Sequence, residues 1–130
     1  MMMDTTRQRF VAQREDMELW FGKAGSGTDV NLHALAAHTD EPQYAVALLP
    51  WDSGDFSTAK TLAVWCMWNS QITVKLPSGS SLRSGATPKI YAVNWLGKRI
   101  FEVAPLRVSE GELTFQSARH DDIFCYEIIR

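Results

Sequence analysis

The residues with the clearest capacity for chemistry sit in one loop. Trp51 is bracketed by Asp52 and Asp55 in the run PWDSGDFS, with Phe56 close behind. An aromatic face stacks on the C–H surface of a sugar ring, while neighbouring carboxylates accept from its hydroxyls. Trp51, Asp52, Asp55 and Phe56 therefore form a candidate carbohydrate-binding loop, with an oligosaccharide as the ligand class. The competing reading makes Trp51 an apolar plug at one end of the fold.

Other chemistries find less support. His33 and His38 stand five apart, which suits neither one strand face nor one helical turn, and His120 lies in a turn before Asp121-Asp122. No metal site is expected from them. Asp52, Asp55, Asp121 and Asp122 offer hard oxygen ligands, but their spacing matches no EF-hand loop, so they read as solvated turn acids. The segment GKAGSG has glycines and Lys23, yet lacks the terminal Lys-Ser/Thr pair and the following helix of a phosphate loop. Ser53-Gly54 has no nucleophile-elbow context. No catalytic residue and no cofactor is assigned, and the chain reads as non-catalytic.

Composition narrows the partners. The 130 residues are 45% hydrophobic, with 13 basic and 15 acidic residues for a net charge of −2. That size suits one domain, spanning residues 1–130 with 1–8 loose. The near balance of charge gives no electrostatic ground for nucleic acid or an anionic membrane. Met1–Thr6 is followed by no apolar stretch, so neither a signal peptide nor a membrane span is expected, and the location defaults to the cytoplasm. Cys66 and Cys125 lie in apolar runs and read as buried free thiols, with a disulfide between neighbouring strands as the alternative.

The elements that must position the loop are strands. Lys89–Trp95 alternates with Tyr91, Val93 and Trp95 on one face, Leu96-Gly97-Lys98 turns the chain, and Arg99–Val103 alternates again. Phe124, Tyr126 and Ile128 repeat the pattern, which is that of half-buried pleated strands. Gln43–Leu49 and Lys60–Trp68 read as strands, with Asn69-Ser70 as a hairpin turn into Gln71–Leu76. Arg107–Val108 and Leu113–Phe115 flank a Glu110-Gly111 turn, and 77–88 reads as a mobile Ser/Gly loop. Phe10–Arg14 and Met17–Gly22 are strands or a helix, and 31–38 is open in the same way. The fold class predicted is all-β, an antiparallel β-sandwich of roughly eight to ten short strands.

Two strands are apolar on both faces. In Lys60–Trp68, Leu62, Val64, Cys66 and Trp68 alternate with Thr61, Ala63, Trp65 and Met67. Either both faces are covered, or one is an interface to a second copy or a neighbouring domain, with Trp65 and Met67 as its candidate residues.

The stretch Lys89–Arg130 resembles the closing β-sandwich domain of many multidomain glycoside hydrolases and related polysaccharide-active enzymes. Tyr91, Trp95, Gly97, Gly111, Phe115, Tyr126 and Glu127 carry the resemblance. It implies an accessory, carbohydrate-associated module. The catalytic carboxylates of such enzymes lie in a separate barrel, so no catalytic residue transfers to this chain.

Overall fold

The computed structural model describes residues 2–4, 9–24, 27–52, 54–67, 69–76, 82, 87–109, 111–118 and 121–129. They form β1 (Met2–Asp4), β2 (Arg9–Gln13), β3 (Glu18–Lys23), β4 (Thr28–Asn31), β5 (Leu35–Thr39), β6 (Gln43–Pro50), a 3₁₀ turn (Phe56–Thr58), β7 (Thr61–Cys66), β8 (Ser70–Lys75), β9 (Lys89–Val93), β10 (Arg99–Val103), β11 (Arg107–Ser109), β12 (Glu112–Ser117) and β13 (Cys125–Ile129). One sheet runs β1-β2-β3-β6-β7-β13-β9-β10 and the other β11-β12-β8-β5-β4. The expected antiparallel sandwich is what forms. It has more strands than the sequence spacing predicted, because β1 and β4 are too short to show alternation, while the β11–β12 hairpin forms as expected. Both helix-or-strand ambiguities resolve to strands, as the bulky run Leu19-Trp20-Phe21 favours.

Alternation builds the core. Tyr44, Val46 and Leu48 of β6, Leu62 and Val64 of β7, and Tyr126 and Ile128 of β13 point inward from the larger sheet. Val30, Leu35, Ile72, Val74, Leu113 and Phe115 meet them from the smaller one. The Phe115 and Tyr126 rings stand 5.2 Å apart.

Two expectations need correction. Of the polar start, read as loose over 1–8, Met2–Asp4 supplies β1, which pairs with β2 through Met2↔Val11 and Asp4↔Arg9, while residues 1 and 5–8 lie outside the described residues. Asn69-Ser70 does not close a hairpin. β7 pairs with β6 and β13, whereas β8 pairs with β5 and β12, so the chain changes sheets there. Polar anchoring holds that crossing. The Tyr44 hydroxyl donates to Ser70 Oγ at 2.6 Å, Ser70 N–H donates to Ser117 Oγ at 2.9 Å, and Ser117 Oγ–H donates to the Ser70 carbonyl at 3.1 Å. The Ser70 hydroxyl is then left to donate to Ser117 Oγ, 2.8 Å away. This buried relay joins the two layers, and burial pushes the Tyr44 phenol far up from its usual range.

The loop at 77–88 and Trp68 lie largely outside the described residues, but Leu82 is buried in the core cluster. Among the described residues no helix is long and apolar enough to cross a membrane.

Candidate functional site

Strand order brings together residues that are far apart in sequence. Because β7, β13 and β9 are neighbours, Ala63 pairs with Glu127 and Cys125 with Val93 on the outward face of the larger sheet. Trp51, just after β6, and Trp95 with Gly97, in the β9–β10 turn, join these residues and Phe124 around a groove of about 230 Å³.

The turn that presents Trp95 is built locally. Asn94 Oδ1 accepts from the Leu96 N–H at 3.0 Å and the Lys98 N–H at 2.9 Å. Gly97 sits at φ +79°, the left-handed conformation that glycine adopts without strain. Trp95 Nε1–H donates to the Asp121 carbonyl at 3.0 Å, and its ring lies 4.8 Å from that of Phe124. The indole is thus held in place while 65% exposed, and Trp51 is 56% exposed. Glu127 in the groove lining accepts from Arg99 Nε at 2.9 Å, and the Arg99 guanidinium stacks 4.5 Å over the Tyr91 ring. The groove therefore offers two aromatic surfaces and one carboxylate acceptor, Glu127, oriented by Arg99. Cys125 opens onto it as a free thiol, and burial pushes that thiol up to about 11.

The other predicted loop residues take different places. Asp52 accepts from the Lys60 N–H at 3.0 Å and the Thr61 N–H at 2.9 Å, tying the loop to the start of β7. Slight desolvation opposes ionisation, but those N–H groups prevail and hold its carboxyl below the usual range. Asp55 caps the 3₁₀ turn, accepting from the Ser57 hydroxyl at 2.6 Å and the Thr58 N–H at 3.1 Å, and these bonds lower its pKa. Phe56 is half-buried and packs on the core. Asp55 and Phe56 line a separate cleft of about 670 Å³, shared with Arg14, Glu15, Glu18, His33 and Lys75. The structure does not bring Trp51 and Phe56 into one recess.

Sequence reasoning missed Glu18, which is 2% exposed at the wall of that cleft. Its carboxylate accepts from the Ala34 N–H at 2.8 Å and the Leu35 N–H at 3.1 Å. A single acid at the start of a strand carries no signal of this kind. His33 lines the cleft and His38 pairs with Asp29 across β4–β5, so the two are not brought together. His120 lies outside the described residues, among which no three His, Cys, Asp or Glu residues gather as a metal site would need.

Trp65 is half-buried on the outward face, where its strand partner is Ala47, and Met67 lies beyond β7 and packs against the core. Ala45, Ala47 and Ala63 on that face are each buried beside larger neighbours. The small-beside-large pattern leaves little of the double-faced strands open. No family model matches this chain, and no curated protein or solved structure matches it either.

Proposed function

We propose that this chain is a non-catalytic β-sandwich module that binds carbohydrate in the groove between Trp51 and Trp95. The observation that carries the reading is the pair itself. Two tryptophans from separate loops, each more than half exposed, line one groove, and the indole of Trp95 is fixed by a hydrogen bond before any ligand arrives. A pre-set aromatic plane avoids the ordering cost of binding. Glu127, held by Arg99, supplies an acceptor for hydroxyls in the groove. The resemblance of Lys89–Arg130 to accessory domains of glycoside hydrolases supports the same ligand class, and Trp95 and Glu127 are among the residues that carry it. The groove is smaller than the ~300–1,000 Å³ of enclosed small-molecule pockets, which fits a shallow surface site. Affinity in the tens-of-micromolar to millimolar range follows, roughly 4–6 kcal/mol.

The test is tryptophan fluorescence titrated with cello-, xylo-, manno- and chito-oligosaccharides. One series shifts the emission of the native protein, and Trp51→Ala and Trp95→Ala each remove the response with little change in unfolding midpoint. A flat response across a glycan array overturns the proposal.

A further inference from the structure

The cleft beside Glu18, about 670 Å³, shares no lining residue with the Trp51–Trp95 groove. Backbone bonds fix its walls. The Phe56 N–H donates to the Glu15 carbonyl at 2.9 Å, joining the 3₁₀ turn to the β2–β3 turn. The Lys75 N–H donates to the Ala34 carbonyl at 2.8 Å, joining the end of β8 to the β4–β5 turn. Glu18 is 2% exposed, and a carboxylate so enclosed is ordinarily paired with a cation. Among the described residues none pairs with it. Its partners are two backbone N–H groups, and they crowd one oxygen. Oε1 accepts from Ala34 at 2.8 Å and Leu35 at 3.1 Å, while Oε2 only shares the Ala34 N–H, at 3.0 Å. Oε2 therefore keeps acceptor capacity. The cations of the lining do not supply the missing charge. Arg14 gives Nε and Nη2 to Asp16 at 2.9 and 2.8 Å. Lys75 is exposed, and Glu15 and Asp55 stand against it in the lining as well as Glu18. Asp55 adds charge there, although its oxygens serve its own turn.

We infer that this cleft binds a primary alkylammonium, with its head on Glu18 Oε2 and its methylene stem along Phe56 and Leu76. The volume falls within the ~300–1,000 Å³ range of small-molecule sites. One oxygen with acceptor capacity suits the ammonium, a compact point charge with three donors. A guanidinium is a planar fork that needs two parallel acceptors, and Oε1 is already filled. The head brings to Glu18 the cation that the chain itself does not provide. The stem finds apolar contact, since Phe56 is half-buried, Leu76 is buried, and both line the cleft. The Phe56 ring also attracts a cation that passes over its face. Two sources carry this head and stem: a free diamine or polyamine, and the lysine side chain of a peptide.

The experiment is an amide NMR titration of the full chain with cadaverine and with Nα-acetyl-lysine amide. Both saturate the shifts of the Ala34 and Leu35 amides, with Kd of about 0.1–10 mM for a single ammonium in an open cleft. The tighter of the two names the source. A neutral diol of the same length, which keeps the stem and lacks the charge, binds roughly tenfold more weakly or worse. Glu18→Gln, which keeps an oxygen in place of Oε1, weakens cadaverine by a factor on the order of ten. Lys75→Met, at an exposed position, removes a competing charge and tightens cadaverine about threefold. Trp95→Ala loses the oligosaccharide response and leaves the amine response intact, so failure here is distinguishable from failure of the carbohydrate reading. Circular dichroism verifies that each variant keeps its β spectrum. The inference is overturned by shifts that never saturate with either amine, by a diol that binds as well as cadaverine, or by undiminished affinity in Glu18→Gln. It is also overturned if glutarate binds more tightly than cadaverine and Lys75→Met abolishes that binding, which would make the cleft an anion site.

Discussion

Replacing Glu18 by alanine and, separately, by glutamine measures what the buried carboxylate at the head of β3 contributes. Glu18 Oε1 accepts from both the Ala34 and Leu35 N–H groups, and Oε2 lies 3.0 Å from the Ala34 nitrogen. Hydrogen bonds to charged groups contribute roughly 1.5–3 kcal/mol each, and a buried donor left unsatisfied costs about 1–3 kcal/mol. Glutamine keeps one carbonyl oxygen in place of Oε1, so it retains the two bonds to Oε1 but forfeits charge assistance and the bond to Oε2, a loss of about 1 kcal/mol. Alanine strips both donors. Ala34 borders the open cleft, where water can replace the carboxylate, but Leu35 is 1% exposed and its N–H is orphaned. The expected loss is about 3 kcal/mol. For a chain of this size 1 kcal/mol moves Tm by roughly 3–5 °C, so Gln lowers it by about 4 °C and Ala by about 12 °C. Urea unfolding with a constant m-value checks the energies, and amide exchange at Leu35 checks the location. Alanine and glutamine variants of equal stability, or unchanged exchange at Leu35, would refute the clamp.

Other expectations follow from the same coordinates. Ser117→Ala removes the acceptor for the Ser70 N–H and the donor to its carbonyl, and should lower stability by about 1–3 kcal/mol in chemical denaturation. The hydrogen bond to Asp29 raises the pKa of His38 above 6.5, so its bridge across β4–β5 stabilises the fold below the unfolded value and is lost as pH rises through the folded one. Histidine NMR titration should give a midpoint above 6.5 that falls in Asp29→Asn. Burial raises both thiols, Cys125 to about 11, so iodoacetamide should label neither appreciably near neutral pH, and rapid labelling of Cys125 would contradict its setting. Trp51→Ala should cost under about 1 kcal/mol, well short of the several kcal/mol typical of a buried tryptophan, and a larger loss would make Trp51 the plug that the sequence left as an alternative.

The fold was legible wherever alternation ran for five residues or more with a turn beside it. Tyr91, Val93 and the Gly97 turn located the β9–β10 hairpin, and Tyr126 and Ile128 located β13. The Asn69-Ser70 step was misread because a crossing between sheets and a hairpin share local turn chemistry. What separates them is the relay through Tyr44 and Ser117, and those residues are remote in sequence. The candidate site was half legible for the same reason. Trp51 stood out as a loop aromatic, but its neighbour in space is Trp95, and that proximity depends on β13 lying between β7 and β9. Asp52 and Asp55 looked available for ligand, yet backbone N–H groups of their own loop hold them. Such local bonds are what Asp does most readily in turns.

The place of β13 also bears on how the chain acquires its shape during synthesis. Residues 125–129 are made after every other described strand, yet they lie between β7 and β9. Until they emerge, β1–β3, β6 and β7 can assemble as one block and the β9–β10 hairpin as another, each with a bare inner edge and an uncovered apolar face. Before β13 emerges the larger sheet cannot close, because the joining strand follows both blocks in the chain. Pairings this distant in sequence form slowly, and exposed edges in the interval invite association between chains. The nascent polypeptide therefore passes through a vulnerable window that closes only when Cys125–Ile129 slots into the gap.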